Sequence, residues 1–195
     1  MAVKTSVGVV LAGGRSRRMG RTKATLTVGG ERLIDRQLSR LRGMVDQIAV
    51  SGRENFGLSL PVIADRLGVE GPVAGILGVA DWLGAQQQAA AGFLTVPVDT
   101  PFLPLDLAER LMAEPNQSAI AADEVGVHAT CAYWALDALG EVEASSSPSP
   151  SLRAIAEMAG ARTERWPSDQ HFFNINTPAD LALAEARQAG AVSAN

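Results

Sequence analysis

The chain of 195 residues contains a single cysteine, Cys131. That excludes an internal disulfide and a multi-thiolate zinc site, and it points to a reducing compartment. Aromatic residues are also scarce, at 5%. The three tryptophans, Trp82, Trp134 and Trp166, read as packing residues and not as a stacking platform for bases. His128 and His171 stand apart with no ligand-like spacing, so core or surface roles are expected of both. Nor is there an excess of positive charge: 17 Lys and Arg against 21 Asp and Glu give a net charge of -4. This disfavours a nucleic-acid binder that works through bulk charge, and phosphate chemistry has to be local. No run approaches the roughly 20 apolar residues needed to span a bilayer. The longest, residues 89–98, is interrupted by Gly92, Thr95 and Pro97. A short apolar run at residues 7–12 is followed by arginines, which inverts the order of a secretory signal. The expectation is a cytoplasmic protein with neither membrane nor nucleic acid as partner.

What is present is alternation. A chain of this length buries roughly 70% of its unfolded surface without any staple, so residues 1–195 are expected to form one domain. Val7–Leu11 has no polar residue in it and reads as a strand buried on both faces, which suits a parallel sheet. Leu33, Ile34, Leu38 and Leu41 recur at helical spacing and predict a helix over 31–42 that stops at Gly43. Strands follow at 48–50 and 61–64. A helix from Pro72 carries Ile76, Leu77, Ala80 and Leu83 on one face; a buried strand covers 93–98, and a helix opened by Pro104 covers 104–112. Strand and helix in turn define a three-layer α/β fold with a mainly parallel central sheet. Strands at 118–122 and 129–134 are joined through residues 123–126 by a hairpin or an irregular connection. The Ser/Pro-rich stretch 145–151 is too polar to pack and reads as a mobile loop, and Ser151 caps the helix after it. Thr177-Pro178-Ala179-Asp180 is a helix start, and the helix it opens is expected to run through Gln188 and close before Gly190. No internal repeat is found.

The densest chemical signal is LAGGRSRRMGRTK at residues 11–23. Arg15, Arg17, Arg18, Arg21 and Lys23 lie directly after the Gly13-Gly14 pair that ends a buried strand. Glycines let backbone N–H groups approach an anion closely, and the cations beside them neutralise phosphate oxygens. The string has neither the spacing of a P-loop nor that of a dinucleotide fold. Asp99, in VPVDTPFLP, follows another predicted strand, where a carboxylate serves either as a Mg²⁺ ligand or as a turn cap. The Gly13-Gly14 loop, Ser51, Asp65 and Asp99 each follow a different strand, so parallel strands gather them on one rim. GPVAG at 71–75 lines a base pocket or forms a tight loop. Asn174 and Asn176 are two apart, so in an extended segment they point the same way, as paired amides for a pterin, phosphate or metal, or as local caps.

These blocks resemble the molybdenum cofactor guanylyltransferase family of nucleotidyltransferases. The resemblance rests on LAGGRSRRMGRTK, GPVAGI, VPVDTPFLP and FNINTPADLALAEA, in the family's order and over nearly the whole chain. It implies a Rossmann-like nucleotidyltransferase fold and transfer of GMP from Mg-GTP to the terminal phosphate of molybdopterin, with release of pyrophosphate. The Gly-Gly loop and GPVAG resemble guanylyl members more than the cytidylyl relatives. Residue by residue, it implies that Leu11, Ala12, Gly13 and Gly14 hold the nucleotide, that Lys23 contacts its phosphates, and that Arg15 and Arg18 support the polyphosphate. Asp65 then fixes the nucleoside, Asp99 binds Mg²⁺, and Arg15, Lys23 and Asp99 carry the catalysis. Ser51 occupies a nucleotide-site position that is often asparagine, while Asn174 and Asn176 match the motif near the pterin acceptor. The implied partners are GTP and molybdopterin, with or without its molybdenum, and transiently molybdenum-insertion proteins or acceptor molybdoenzymes. Thr22 stands where the family commonly has aspartate and Ala129 where it usually has proline. The rival readings are a cytidylyl or sugar-phosphate nucleotidyltransferase on the same rim and a non-catalytic GTP-binding partner in molybdoenzyme maturation.

Overall fold

The computed structural model describes residues 5–13, 22–86, 90–143, 150–167 and 170–193. At its centre β1 (Val7–Leu11) is enclosed on both sides, as its unbroken apolar run requires. Val7 and Val9 face one core and Val10 the other, the period-two alternation of a strand sandwiched between helical layers. Seven strands form the sheet, in the order β5 (Val62–Ile63), β4 (Gln47–Ser51), β1, β6 (Gly92–Pro97), β8 (Val127–Ala135), β7 (Ala119–Ala122), β9 (Arg162–Arg165). The pairs β5–β4, β4–β1, β1–β6 and β7–β9 are parallel. Among the described strands of the sheet only β8 runs the other way, antiparallel to β6 and β7. The expected mainly parallel sheet is therefore present, with a hairpin through residues 123–126 set into its second half.

One face is covered by α1 (Leu33–Arg42), α3 (Leu107–Leu111) and α6 (Pro178–Ser193), whose Leu33, Ile34, Leu38, Leu41, Leu107, Leu111 and Ala184 are buried against Val10, Val50, Leu94 and Val96. The other carries α2 (Pro72–Ala85), α4 (Leu136–Glu143) and α5 (Leu152–Met158), packed on Val7, Val9, Ala49, Phe93 and Trp134. Trp134 and Trp166 are buried packing residues, as expected. The Trp134 indole N–H donates to Thr95 Oγ1 at 3.0 Å, which satisfies its polar end inside the core.

Several elements depart from the sequence expectation. Glu31 and Arg32 belong not to α1 but to β3 (Glu31–Arg32), paired with β2 (Thr27–Val28), so the helix begins at Leu33. Pro104 lies in a turn before α3, which starts at Leu107. The last helix runs past Gly190 to Ser193, because a glycine inside a helix costs only about 1 kcal/mol and stops nothing alone. The edge strand β9 has no counterpart in the sequence reading. Of the 145–151 stretch, residues 145–149 lie outside the described residues; Ser151 does cap α5, accepting from the Ala154 N–H at 3.1 Å.

Candidate functional site

With β8 alone reversed, the carboxyl ends of six strands and the start of β8 share one rim. The chain order turns back at β1, stepping outward to β4 and β5 and returning on its other side with β6. In open α/β sheets ligands lie above such a reversal. Leu11 ends β1, Ala12 and Gly13 leave it, Ser51 ends β4, Asp65 follows β5 and Asp99 follows β6, so all of these stand on the rim. Gly14, Arg15 and Arg18 lie outside the described residues.

Backbone contacts weld the first part of this rim. The Ala12 N–H donates to Ser51 O at 2.9 Å, the Gly52 N–H to Ile63 O at 2.9 Å, and the Val98 N–H to Leu11 O at 3.1 Å. The start of α2 comes up beneath Ser51 and Asp65. A Cβ on Gly75 would lie 2.7 Å from Ser51 Oγ and 3.4 Å from Asp65 Oδ1, so only glycine allows this approach. Gly71, at φ 76°, turns the chain into that helix, and Pro72 takes its first position. The 71–75 block is thus a tight entry to a helix whose first turn lies against the rim, with the Ala74 N–H donating to Gly71 O at 3.1 Å.

The centre is an ion pair. Lys23 opens a single 3₁₀ turn, Lys23–Thr25, and its Nζ donates to Asp99 Oδ2 at 2.6 Å and to Asn176 Oδ1 at 2.7 Å. The ammonium and carboxylate are 20% and 18% exposed, enough burial to strengthen the pair and enough opening to admit a ligand. Thr22 precedes the turn without a side-chain cap, so the hydroxyl does not do what a carboxylate there could. Asn176 and Asn174 are both exposed, with Ile175 buried between them, as two-residue spacing requires. Their amides are held by different partners: Asn174 Oδ1 accepts from Thr100 Oγ1 at 2.6 Å. Neither side chain caps the last helix. That role falls to Thr177 and Asp180, whose carboxylate accepts from the N–H groups of Asn176 and Thr177 at 2.9 and 2.8 Å. These bonds hold the Asp180 carboxyl below the usual carboxylate range.

Two supports were not foreseen. Gln37 is buried on the apolar stripe of α1, and its Nε2 donates to Thr100 O at 2.5 Å, bracing the turn after Asp99. A lone amide among Ile34, Leu38 and Leu41 is the signal that marks it in the sequence. His128, expected to be isolated, lies 2.9 Å from Asp123 Oδ2. Burial, with Asp99 nearby, pushes the Cys131 thiol up, so it stays a neutral core residue. Among the described residues no three acidic, histidine or cysteine side chains cluster as a ready metal cage. No described helix is long and apolar enough to cross a membrane.

Comparison with known proteins bears on the family and the fold. A molybdenum cofactor guanylyltransferase from Cereibacter sphaeroides is 37% identical over 187 residues, covering 92% of this chain and 95% of that one. The crystal structure of molybdopterin-guanine dinucleotide biosynthesis protein A from Archaeoglobus fulgidus superposes with a TM-score of 0.71 at 22% identity, over 94% of this chain and 99% of that one. A Mycobacterium tuberculosis protein solved in complex with manganese superposes at 0.68 with 15% identity, over 94% and 99%. The model of the MobA-like NTP transferase domain matches residues 8–165, and the chain belongs to that family.

Proposed function

We propose that this chain transfers GMP from GTP to the terminal phosphate of molybdopterin, releasing pyrophosphate and forming the guanine dinucleotide cofactor. The observation that supports it best is the convergence of Lys23, Asp99 and Asn176 on the rim, beside the end of the glycine-bearing β1. Nucleotidyl transfer needs little covalent help from a protein. Two anions, the attacking phosphate and the α-phosphate, must be screened from each other and aligned with the departing pyrophosphate. In this reading Leu11, Ala12, Gly13 and Gly14 hold the nucleotide, Ser51 and Asp65 fix its nucleoside, and Asn174 and Asn176 face the acceptor. Lys23 moves its ammonium from carboxylate to phosphate, and Arg15 and Arg18 add charge to the polyphosphate.

The donor set fits a divalent cation. Asp99 Oδ2 and Asn176 Oδ1 are hard oxygens already converging on one positive group, the Lys23 ammonium. A lone carboxylate suits magnesium that arrives on a nucleotide, because that ion keeps waters and phosphate oxygens as its other ligands. Asp99 would hold it, and when bound it would neutralise charge on the phosphates as pyrophosphate leaves.

The test is pyrophosphate release from the purified protein with GTP, magnesium and molybdopterin, repeated with CTP. Release that requires both GTP and the acceptor is expected. Release with CTP in preference would assign a cytidylyltransferase, and GTP binding without release a non-catalytic partner. Molybdenum-insertion proteins and recipient molybdoenzymes remain its proposed transient protein partners, tested by pull-down in the presence of product.

A further inference from the structure

Beyond Asp99 the rim carries a polar pair that the reaction just described leaves unused. Asp123 follows β7 and His128 is the second residue of β8, so they face each other across the turn between those strands. The His128 and Asp123 side chains are only 16% and 1% exposed. The N–H groups of Val125 and Gly126 donate to Asp123 Oδ1 at 2.8 and 2.9 Å, while Oδ2 meets His128 Nε2 at 2.9 Å. Burial pushes this carboxyl up, but His128 and the two N–H groups outweigh it and hold it below the usual range. The contact at Nε2 is close but not an aligned hydrogen bond, so the fixed carboxylate confines the imidazole by its position at that edge of the ring.

The face of that imidazole carries Phe172, with ring centroids 4.6 Å apart and planes inclined by 15°. Trp166 closes on Phe172 edge-on at 5.4 Å, and its own indole N–H is fixed to Asp106 Oδ1 at 2.8 Å. Phe172 thus sits in an aromatic seat that lets it shift little. From there residues 172–176 run straight to the reaction centre. The Ile175 N–H donates to Asp99 O at 2.9 Å, and Asn174 and Asn176 flank it with their amides on Thr100 and Lys23.

We propose that His128, oriented by Asp123, is a positioning residue for the acceptor: it seats Phe172, and through Phe172 it sets where Asn174 and Asn176 meet the incoming phosphate. The proposal rests on the guanylyltransferase reading of the rim. It assigns His128 no contact with substrate and no proton to transfer.

Two measurements test it, the separate KM values for acceptor and GTP, and hydrogen exchange at the Ile175 amide. His128→Ala and Phe172→Leu should each raise the acceptor KM roughly tenfold, since small displacements of aligned groups cost that much or more. The GTP KM should stay within about twofold, because the nucleotide side is built from other strands. His128→Phe, which restores a ring beneath Phe172, should recover most of the loss. Exchange at Ile175 should quicken in the first two variants while Val9 and Val96 stay protected. If His128→Ala does not fold, His128→Gln, which keeps a polar group beside Asp123 but removes the ring, carries the same test. Variants that melt earlier yet keep a wild-type acceptor KM and wild-type Ile175 exchange would overturn the proposal, as would a parallel rise of both KM values. A wild-type protein that transfers no GMP defeats the functional reading instead, and the Ile175 arm still decides whether His128 seats this segment.

Discussion

The two halves of the rim are built from different materials. Over β5, β4 and β1 the surface formed by the described residues is mostly backbone: strand ends hydrogen-bonded to one another, a glycine that lets α2 touch Ser51 and Asp65, and a helix start. Over β6, β8, β7 and β9 it is side chains: Lys23 on Asp99 and Asn176, Asn174 on Thr100, His128 on Asp123 and Phe172. Backbone groups have fixed geometry and little freedom to lose, so in the proposed function they suit the reactant whose chemical identity is constant, the nucleotide. Side chains can be exchanged without moving a strand. Under the proposed function, the difference assigns the common reactant to the backbone half and leaves the side-chain half for the acceptor.

Variants can break this division or sharpen it. The largest effect is expected at the junction, where Lys23→Ala or Asp99→Ala should lower turnover by roughly two to three orders of magnitude, as for loss of one preorganised charge contact. Pyrophosphate release measures it, with circular dichroism confirming the fold; near-normal turnover would remove the ion pair from the mechanism. On the backbone half, Gly75→Ala should push α2 away from Ser51 and Asp65 and raise the GTP KM roughly tenfold, leaving the acceptor KM alone. A simultaneous change in acceptor KM would mean that the halves are not separable. Asp123 supplies a pH test on the side-chain half. Its folded pKa is depressed, so its stabilisation is complete above the unfolded value of about 4 and is lost as pH falls through the lower folded value. The gap in denaturant midpoint between wild type and Asp123→Asn should therefore be widest near neutral pH and should shrink in acid. Least affected is the cap of α6, where Thr177→Ala should cost about 1 kcal/mol in urea unfolding, with both KM values unchanged.

The backbone half was also the legible one. A buried strand announces itself by an apolar run, a helix start by Gly-Pro or Thr-Pro, and the rim follows once the strands are taken as parallel. Ser51, Asp65 and Asp99 could be put on one edge for that reason. Side-chain partners are another matter: Lys23 meets Asp99 and Asn176 across 76 and 153 positions of sequence, and no local pattern encodes such a pairing. The same limit hid β9. Its alternate residues Arg162 and Glu164 are half-buried through Arg110 and the carbonyls of residues 110 and 111 instead of apolar contact, so the strand lacks the usual alternation. Glu31 and Arg32 were misread because a helical stripe starts at Leu33, whereas their strand is defined only by its partner β2. His128 looked solitary because its carboxylate lies on the neighbouring strand's end.

The last helix reaches back to the first hairpin: the Gly29 N–H donates to Glu185 Oε2 at 2.9 Å, and Arg36 to Gln188 Oε1 at 2.9 Å. Asn176, immediately before that helix, supplies one of the two oxygens on Lys23. During synthesis, then, the contact of Lys23 with Asn176 has to wait until the segment leading into the last helix has been made.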